Sequence, residues 1–310
     1  MRFIDGHCDT ITAAMDKGEN LRHFGGHLNL EKMLRFAPSV QVFSIWLNDE
    51  RLIDPYQSTV DALDWAHNEF DKNADLIAVA RSYGDIVAND SAGKNSALLG
   101  IEGGYPLGAD MNRLYALHER GVRVLTMTWN HDNALSGGIA TSNATGLSQF
   151  GRDVVAECAK LGIAIDVSHI STKGFDDVAS VTTVPFFASH SNCKAITDHR
   201  RNLTDQQIST IANRGGVVSL NLYDDFLSNT HDPTMEDALR HLDHMLQVGG
   251  AQCPSLGGDL DGIEDPKRGW FADVSIYEAL YDRVCAAHGS TIADNIFFAN
   301  YLRMFKDVLR

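Results

Sequence analysis

Near its start the sequence reads Phe3-Ile4-Asp5-Gly6-His7-Cys8-Asp9, so a short apolar run leads directly into a His-x-Asp pair. Alternate residues of an extended chain face the same side, and His7 and Asp9 can therefore point at one spot. Apolar runs that end in a polar, metal-ligand type of side chain recur further along. This recurrence predicts a fold in which the ends of several strands meet.

Eight short apolar runs alternate with helix-type patterns. The runs are Phe3-Ile4, Val40 to Leu47, Ala97 to Ile101, Val122 to Thr128, Ile163 to Val167, Val184 to Ala188, Val217 to Leu222 and Ser255 to Leu260. The helix-type patterns are Leu30 to Phe36, Thr59 to Ser82, Asn112 to Arg120, Leu147 to Leu161, Thr172 to Ser180, Asp205 to Asn213 and Met235 to Val248. Such alternation predicts an α/β protein with parallel strands. An open doubly wound sheet shares this pattern, but eight is the strand number of a (β/α)₈ TIM barrel, which is our prediction.

The length of 310 residues fits one barrel. Linkers, low-complexity tracts and 20–50-residue repeats are not seen in the sequence. We therefore predict a single catalytic barrel domain over residues 1–310, with C-terminal helices from about 276 to 309.

Charge and composition exclude several classes of partner. With 26 basic and 41 acidic residues the formal charge is −15, which disfavours nucleic acid and anionic lipid. Apolar runs stay well short of the ~20 residues that cross a bilayer, and no signal-peptide pattern is seen. The five cysteines are odd in number and scattered, as in a reduced, cytoplasmic enzyme. P-loop, dinucleotide-binding and serine-hydrolase motifs are also missing from the sequence.

Ligand-type side chains stand at the ends of five of the runs. After His7 and Asp9, Glu102 follows the third run, His169 the fifth and His190 the sixth, and the eighth run contains Asp259. In a barrel all strand C-termini surround one mouth. Three histidines and two carboxylates form a site suited to Zn²⁺, Mn²⁺ or Fe²⁺, and five ligands exceed what one tetrahedral catalytic zinc uses. We therefore predict two bridged metal ions.

Each motif alone has an ordinary structural explanation. A Glu before Gly-Gly is common at turns, and a histidine at a strand end is more often hydrogen-bonded than metal-bound. His241 and His244 lie on a helix-type pattern without an H-E-x-x-H motif, so we expect a helix-face or supporting role for them. Asp261 is expected to support the site or to form a turn. The metal prediction therefore depends on the conjunction of the motifs.

Six motifs occur in the same order as in a known family. They are Asp5-Gly6-His7-Cys8-Asp9, Ile101-Glu102-Gly103-Gly104, Asp166-Val167-Ser168-His169, Ser189-His190-Ser191, Arg201-Asn202 and Gly258-Asp259-Leu260-Asp261-Gly262. As a set they resemble the membrane (renal) dipeptidase family of zinc peptidases, over about residues 4 to 262. The signal peptide and lipid-anchor tail of the mammalian enzymes have no counterpart in the sequence, so we expect a soluble, bacterial-type member.

The resemblance implies a barrel of the metal-dependent amidohydrolase type that holds two Zn²⁺ ions and hydrolyses dipeptides. Many members of the family accept a D-residue at the C-terminal position. It also implies roles for seven residues: His7 and Asp9 would bind one zinc, His169 and His190 the other, Glu102 would bridge them, Asp259 would be the acid/base, and Arg201 would hold the substrate carboxylate.

Three positions depart from the family pattern. Cys8 stands where Asn is common, and by parity it faces away from the ligands. Trp129 replaces a substrate-contacting histidine of the mammalian members, for which His131 is a candidate substitute. Phe226 replaces a tyrosine near the substrate. These departures bear on substrate preference more than on the reaction.

The predicted function is a zinc-dependent dipeptidase that attacks the peptide bond with a metal-bridging hydroxide. The alternatives are another metallo-amidohydrolase, acting on a cyclic amide, lactone or N-acyl amino acid, and a non-catalytic metal-binding protein. The predicted partner is a small dipeptide, and a homodimer is the commonest form that an oligomer would take.

Overall fold

Parallel strands form a closed ring in the computed structural model, which describes residues 1–230, 232–263 and 270–310. The strands of the described part are β1 (Ile4–Cys8), β2 (Val40–Ile45), β3 (Ile77–Val79), β4 (Asn95–Glu102), β5 (Val122–Thr126), β6 (Ala164–Asp166), β7 (Val218–Leu220) and β8 (Pro254–Leu256). Their order in the sheet is β6-β5-β4-β2-β1-β8-β7, with β3 paired to the start of β4.

Residues 186–188 close the gap between β6 and β7. Phe187 bridges to Asp166 of β6, and Ala188 bridges to Val218 of β7, both in parallel. The predicted strand Val184 to Ala188 thus occupies its place in the ring, although it forms isolated bridges and not a continuous ladder. With this segment the ring has eight members, and the prediction of a TIM-type barrel is confirmed.

One predicted helix is wrong at its C-terminal end. The pattern Thr59 to Ser82 was expected to be helical throughout, but the helix ends at Lys72 and β3 follows at Ile77–Val79. Asn73 ends the helix, and its side-chain amide donates to the Glu69 carbonyl (2.8 Å). The short apolar stretch after this end is β-branched at Ile77 and Val79, which suits a strand better than a helix.

Helices surround the ring in the usual manner of this fold. They are α1 (Thr10–Lys17), α2 (Leu30–Met33), α3 (Pro55–Lys72), α4 (Tyr83–Ser91), α5 (Met111–Glu119), α6 (Gln149–Leu161), α7 (Thr172–Val181), α8 (Asp205–Asn213), α9 (Asp224–Leu227), α10 (Met235–Gly249), α11 (Ile276–His288), α12 (Ser290–Asp294) and α13 (Asn300–Val308). A π-helical turn, Asn295–Ala299, joins α12 to α13. Thr204 and Gln207 form a capping box at the start of α8.

The last helix closes the end of the barrel opposite the strand C-termini. Tyr301 of α13 is fully buried, and its hydroxyl lies 2.6 Å from the Ser219 hydroxyl in β7. Gly6 of β1 makes room for it, since a Cβ there would lie 1.9 Å from the Tyr301 hydroxyl oxygen. The ring is therefore filled from below by the C-terminal helix and open at its other end.

None of the helices in residues 1–230, 232–263 and 270–310 combines the length and the apolar character needed to cross a bilayer.

Candidate active site

The strand C-termini bring the predicted ligands to one rim. His7 lies within β1, Glu102 ends β4, and Asp259 follows β8 by three residues. His169 follows β6 by three residues, and His190 stands two residues after the bridging segment 186–188. Residues some 250 positions apart in the chain thus become neighbours, as the barrel predicts.

One half of the cluster combines a histidine with carboxylates. His7 Nε2 lies 3.4 Å from Asp9 Oδ2, 3.5 Å from Glu102 Oε2 and 3.9 Å from Asp259 Oδ1. His7 and Asp9 are 1% and 5% exposed. We call this group (His7, Asp9 and the near oxygen of Glu102) the carboxylate half.

The other half is built from two histidines. His169 Nε2 lies 2.9 Å from His190 Nε2, and Glu102 Oε1 lies 3.0 Å from the first nitrogen and 3.6 Å from the second. We call His169 and His190 the histidine half. Glu102 places one oxygen in each half, so a single carboxylate joins them.

The outer nitrogens of the two histidines fix their tautomers. His169 Nδ1 lies 3.0 Å from the side-chain oxygen of Asn130, which only accepts. His190 Nδ1 lies 2.6 Å from Ser189 Oγ, whose own proton goes to Asp166 Oδ2 (2.7 Å). Both Nδ1 atoms therefore donate, and both Nε2 atoms present lone pairs to each other and to Glu102. Converging lone pairs repel unless a cation lies between them.

The carboxylate half contains buried polar atoms with no hydrogen-bond partner. His7 Nε2 and Asp9 Oδ1 are both in this state, which is costly in an apolar interior. Together with the facing lone pairs of the histidine half, this donor set of imidazole nitrogens and carboxylate oxygens fits divalent transition-metal ions.

Electrostatics differ between the halves. Burial alone would lower the pKa of His7, but the charges of Glu102 and Asp9 raise it well above its ordinary value. Burial, aided by the charge of Glu102, raises the pKa of Asp9 to about 7 although His7 opposes the shift. Burial would also raise the pKa of Glu102, but the positive charge of His7 lowers it far below its usual range.

In the histidine half the pKa values of both imidazoles are lowered. Burial, followed by the charge of Arg201, lowers the pKa of His169 to about 4. Burial, with the charges of His7 and Arg201, lowers the pKa of His190 well below its ordinary value. These imidazoles are therefore neutral at pH 7, the form that binds metals.

Asp259 lies at the boundary between the cluster and a large cavity. Burial raises the pKa of its carboxyl above the ordinary value. Asn221 donates to its Oδ2 at 3.1 Å, and the other oxygen faces His7.

Asp259 and His169 both have left-handed backbones (φ +59° and +65°). For non-glycine residues this costs about 1–3 kcal/mol, and such strain clusters at functional sites.

Arg201 lies in the loop before α8, as predicted, and is 5% exposed. Its Nη1 donates to Ser191 Oγ and its Nη2 to the His190 carbonyl, both at 3.2 Å. These bonds attach the guanidinium to the histidine half. Its Nε is buried without a partner, so the side chain retains an unused donor.

A cavity of about 560 Å³ opens above the cluster. Asp9, Glu102, His169, Arg201 and Asp259 all contribute to its wall. The remaining described lining residues are Thr12, Ala13, Asp16, Trp46, Trp129, Asn130, Ala140, His199, Arg200, Tyr223, Asp225, Phe226, Asp261, Gly262 and Ile263. The ligand cluster thus faces a space large enough for a small organic substrate.

The three departures from the family pattern lie as follows. Trp129 and Phe226 line the cavity, and Trp129 packs edge-on against Trp46 at a centroid distance of 5.4 Å. The His131 side chain is exposed, with its ring 6.4 Å from that of Trp129, so the geometry does not favour it as a substitute. Cys8 is fully buried in the hydrophobic core.

Supporting roles account for the other candidates. Asp261 accepts from the Thr10 hydroxyl (2.6 Å) and the Leu28 amide (3.2 Å), which fixes the loop before α2. His241 is fully buried; its Nδ1 accepts from the Cys193 amide and its Nε2 donates to the Leu227 carbonyl, both at 3.1 Å. His244 is paired with Asp205 (2.7 Å).

Sequence reasoning missed several residues that contact the cluster. Asn130 and Ser189 orient the two histidines, and Ser44 lies 3.2 Å from His7 Nδ1. Asp166 is fully buried and receives, besides Ser189 Oγ, the Thr126 hydroxyl at 2.6 Å. The position of Ser189 immediately before His190 is the one signal that could have indicated it.

The chain is similar to known proteins over its whole length. The family model described as membrane dipeptidase (peptidase family M19) matches residues 1–310. An uncharacterised dipeptidase of Schizosaccharomyces pombe is 31% identical over 304 residues, covering 90% of this chain and 72% of the relative.

Two crystal structures of metallopeptidases share the fold. Dipeptidase AC, an M19 metallopeptidase, is 27% identical with a TM-score of 0.92, covering 100% of this chain and 99% of the other. A metallopeptidase of Rhodobacter sphaeroides, bound to a phosphinate mimic of L-Ala-D-Ala, is 28% identical with a TM-score of 0.87, covering 99% of each chain. Together with the cluster of imidazoles and carboxylates, these matches establish that the chain is a metal-dependent hydrolase and belongs to the membrane dipeptidase family, peptidase family M19.

Proposed function

We propose that this chain hydrolyses dipeptides at a two-zinc centre, with residues 1–310 acting as a single catalytic domain. The observation that carries the proposal is the bridging position of Glu102, whose two oxygens lie 3.5 Å from His7 and 3.0 Å from His169. Asp259 and Arg201 share the same cavity. Asp259, as a proton-transfer group, and Arg201, as a carboxylate-binding group, thus lie beside one cluster of candidate metal ligands.

The two halves would each hold one ion. His7 and Asp9 would bind the first, His169 and His190 the second, and Glu102 both. Imidazole and carboxylate donors without thiolates suit zinc, and also Mn²⁺ or Fe²⁺. When bound, such ions lower the pKa of a coordinated water and polarise the scissile carbonyl.

Asp259 would act as the proton-transfer group. Its carboxyl reaches both the cluster and the cavity, and burial raises its pKa above the ordinary value, which makes it a stronger proton acceptor. It would accept a proton from the attacking water and deliver it to the leaving amine nitrogen. Asn221 holds the other carboxylate oxygen and fixes the orientation.

Arg201 would bind the free carboxylate of the substrate. Its buried, unpartnered Nε and the free hydrogen on a terminal nitrogen form an edge for a two-point contact. The R. sphaeroides relative binds an L-Ala-D-Ala mimic, so we include dipeptides with a D-residue at the C-terminal position. Trp46, Trp129 and Phe226 supply an apolar wall for the side chains.

The proposal is tested by metal analysis and by turnover of paired L-Xaa-L-Xaa and L-Xaa-D-Xaa dipeptides. We expect two metal ions per chain and cleavage in at least one series. Asp259→Asn should lower kcat by about 10²–10⁴-fold, the usual contribution of general acid–base catalysis, while both ions stay bound. Asp205→Asn, at an exposed position of α8, is the control and should leave kcat unchanged.

Stoichiometric metal without cleavage of any dipeptide would reject the activity. Arg201→Ala tests the substrate class, because it should raise KM for dipeptides far more than it lowers kcat. Cleavage of cyclic amides or lactones that is indifferent to Arg201→Ala would instead favour another amidohydrolase reaction.

A further inference from the structure

A second cavity lies behind Arg201. Its volume is about 200 Å³, several times the ~30 Å³ that one water occupies. His169, Arg200 and Arg201 line both this side pocket and the large cavity. The other described lining residues are Ile139, Val167, Ile170, Thr172, Phe175, Ser191, Lys194, Asn202, Leu203, Thr204 and Gln207.

The charge of the side pocket is opposite to that of the protein. Lys194, Arg200 and Arg201 line it, and no Asp or Glu does so among the described residues. Of the residues that the structure describes, six carboxylates line the large cavity in contrast: Asp9, Asp16, Glu102, Asp225, Asp259 and Asp261. A cationic pocket in a chain of net charge −15 is a selective place for an anion.

Arg201 belongs to the wall that the two cavities share. The residue is 5% exposed, and its Nε is buried without a hydrogen-bond partner. Within the part of the chain that the structure describes, neither Arg200 nor Arg201 has a carboxylate within 4.0 Å. The charges of Asp259, Glu102 and Asp166 offset only part of the cost of burying the Arg201 guanidinium, and an anion in contact with it would reduce that cost further.

Lys194 distinguishes this pocket from the large cavity. It lines the side pocket alone, and its Nζ pairs with the exposed carboxylate of Asp198 at 2.6 Å. Because Asp198 is 83% exposed, water screens this pair, and the ammonium can serve a second anion. The hydroxyls of Ser191 and Thr204 and the amide of Gln207 add neutral polar groups.

We propose that the side pocket is a binding site for a small oxyanion or carboxylate, held by Lys194 and Arg201. The inference does not depend on the proposed dipeptidase activity, because binding is measurable without turnover. An anion there would share Arg201 with a substrate carboxylate in the large cavity, so its occupancy would raise KM for substrates that carry a free carboxylate.

The test is calorimetric titration of the metal-loaded protein with sodium sulfate, at an ionic strength held constant with sodium chloride. We expect saturable binding of sulfate to the wild type and an affinity about tenfold lower in Lys194→Ala, the value of one charge-assisted hydrogen bond. Lys194→Glu should abolish binding. Lys160→Ala is the matched control, because Lys160 forms a comparable ion pair with Glu157 (2.7 Å) and lines neither cavity.

The effect of sulfate on KM distinguishes anion binding in the side pocket from anion binding in the large cavity. Sulfate should raise KM for a dipeptide in the wild type and in Lys160→Ala but much less in Lys194→Ala, whose kcat/KM without sulfate should stay within about twofold of wild type. Sulfate binding that is unsaturable, or is equal in the wild type and in both Lys194 variants, would overturn the proposal. Such a result would leave the dipeptidase assignment untouched.

A competition experiment identifies the source of the anion. If the free amino acids released from a dipeptide displace sulfate in the titration, the site takes product carboxylates. If inorganic phosphate displaces sulfate and the amino acids do not, the site takes inorganic oxyanions. Either result supports the site, because both require the same cationic pocket.

Discussion

The two halves of the ligand cluster face each other across Glu102, but their buried histidines differ in the charges around them and in the direction of their pKa shifts. In the carboxylate half, His7 stands among acidic oxygens, and its pKa is raised well above the ordinary value. In the histidine half, burial and Arg201 lower the pKa of His169 to about 4, and that of His190 also falls. The carboxylate half would therefore attract a metal ion by its negative charge, and the histidine half by the lone pairs of its neutral imidazoles.

The difference teaches how each half would hold a cation. The carboxylate half attracts a metal ion by its charge and keeps a buried oxygen of Asp9 without another partner. The histidine half depends on orientation, because neutral imidazoles bind only when their lone pairs converge. Its support is correspondingly elaborate, with Asn130 behind His169, and Ser189 and Asp166 behind His190.

The most damaging change should be at the residue that the halves share. Glu102→Gln removes the charge that both ions would share, so we expect loss of metal from both halves and a kcat/KM lower by at least about 10³-fold. Elemental analysis of the purified protein and dipeptide turnover measure the two effects. Glu119→Gln, on the surface at the end of α5, is the control. A variant that retains one full equivalent of metal would show that the halves are independent.

The histidine half should depend more on its outer hydrogen bonds than the carboxylate half does. Ser189→Ala breaks the chain from His190 to Asp166 and should weaken metal binding about 10–100-fold. Ser44→Ala removes the hydroxyl near His7, at 3.2 Å from Nδ1, and we expect a loss below tenfold because charge dominates there. Titration against a competing chelator gives both affinities. Equal losses in the two variants would remove the distinction drawn between the halves.

His241 provides a buried histidine outside the cluster, where burial acts largely alone. Burial lowers its pKa to about 4, against about 6.5 in an unfolded chain. The unfolded state therefore binds more protons between pH 6.5 and pH 4, and folding stability falls as the pH is lowered through this window. At pH 5.5 the cost is about 1–2 kcal/mol.

The measurement is denaturant unfolding of the wild type and of His241→Gln between pH 7.5 and pH 5.5. The variant should have a lower stability at pH 7.5, because the bonds to Cys193 and Leu227 are altered, but a shallower decline towards acid. Parallel declines would mean that the acid sensitivity arises elsewhere, and the histidine half would be the next candidate.

The ring and the ligand cluster could be predicted because their signals are local. His7 and Asp9 alternate in a strand, and Glu102, His169, His190 and Asp259 each follow an apolar run, so barrel topology alone brings them together. The supporting residues were harder to predict. Asn130 reaches His169 from a loop after β5, and Ser44 reaches His7 from a neighbouring strand. Such contacts depend on loop paths and strand register, which periodicity does not encode.

The sequence pattern does not separate a short strand from a long helix that precedes it. The strand Ile77–Val79 has only three residues and was merged with the helix before it. Residues 186–188 were recognised by their apolar character, but their bonds to both neighbours form isolated bridges. Whether such a segment forms a continuous ladder depends on the strands on either side of it, which its own sequence does not reveal.

The contact of Tyr301 with the floor of the ring has a consequence for how the enzyme matures. Strand β1, which carries His7, pairs with β8 more than 240 residues later, and Tyr301 fills the space beneath Gly6. A nascent chain on the ribosome therefore exposes His7 and Asp9 long before their neighbours exist. High contact order of this kind slows folding. The ligand cluster can therefore assemble only after nearly the whole polypeptide has been synthesised.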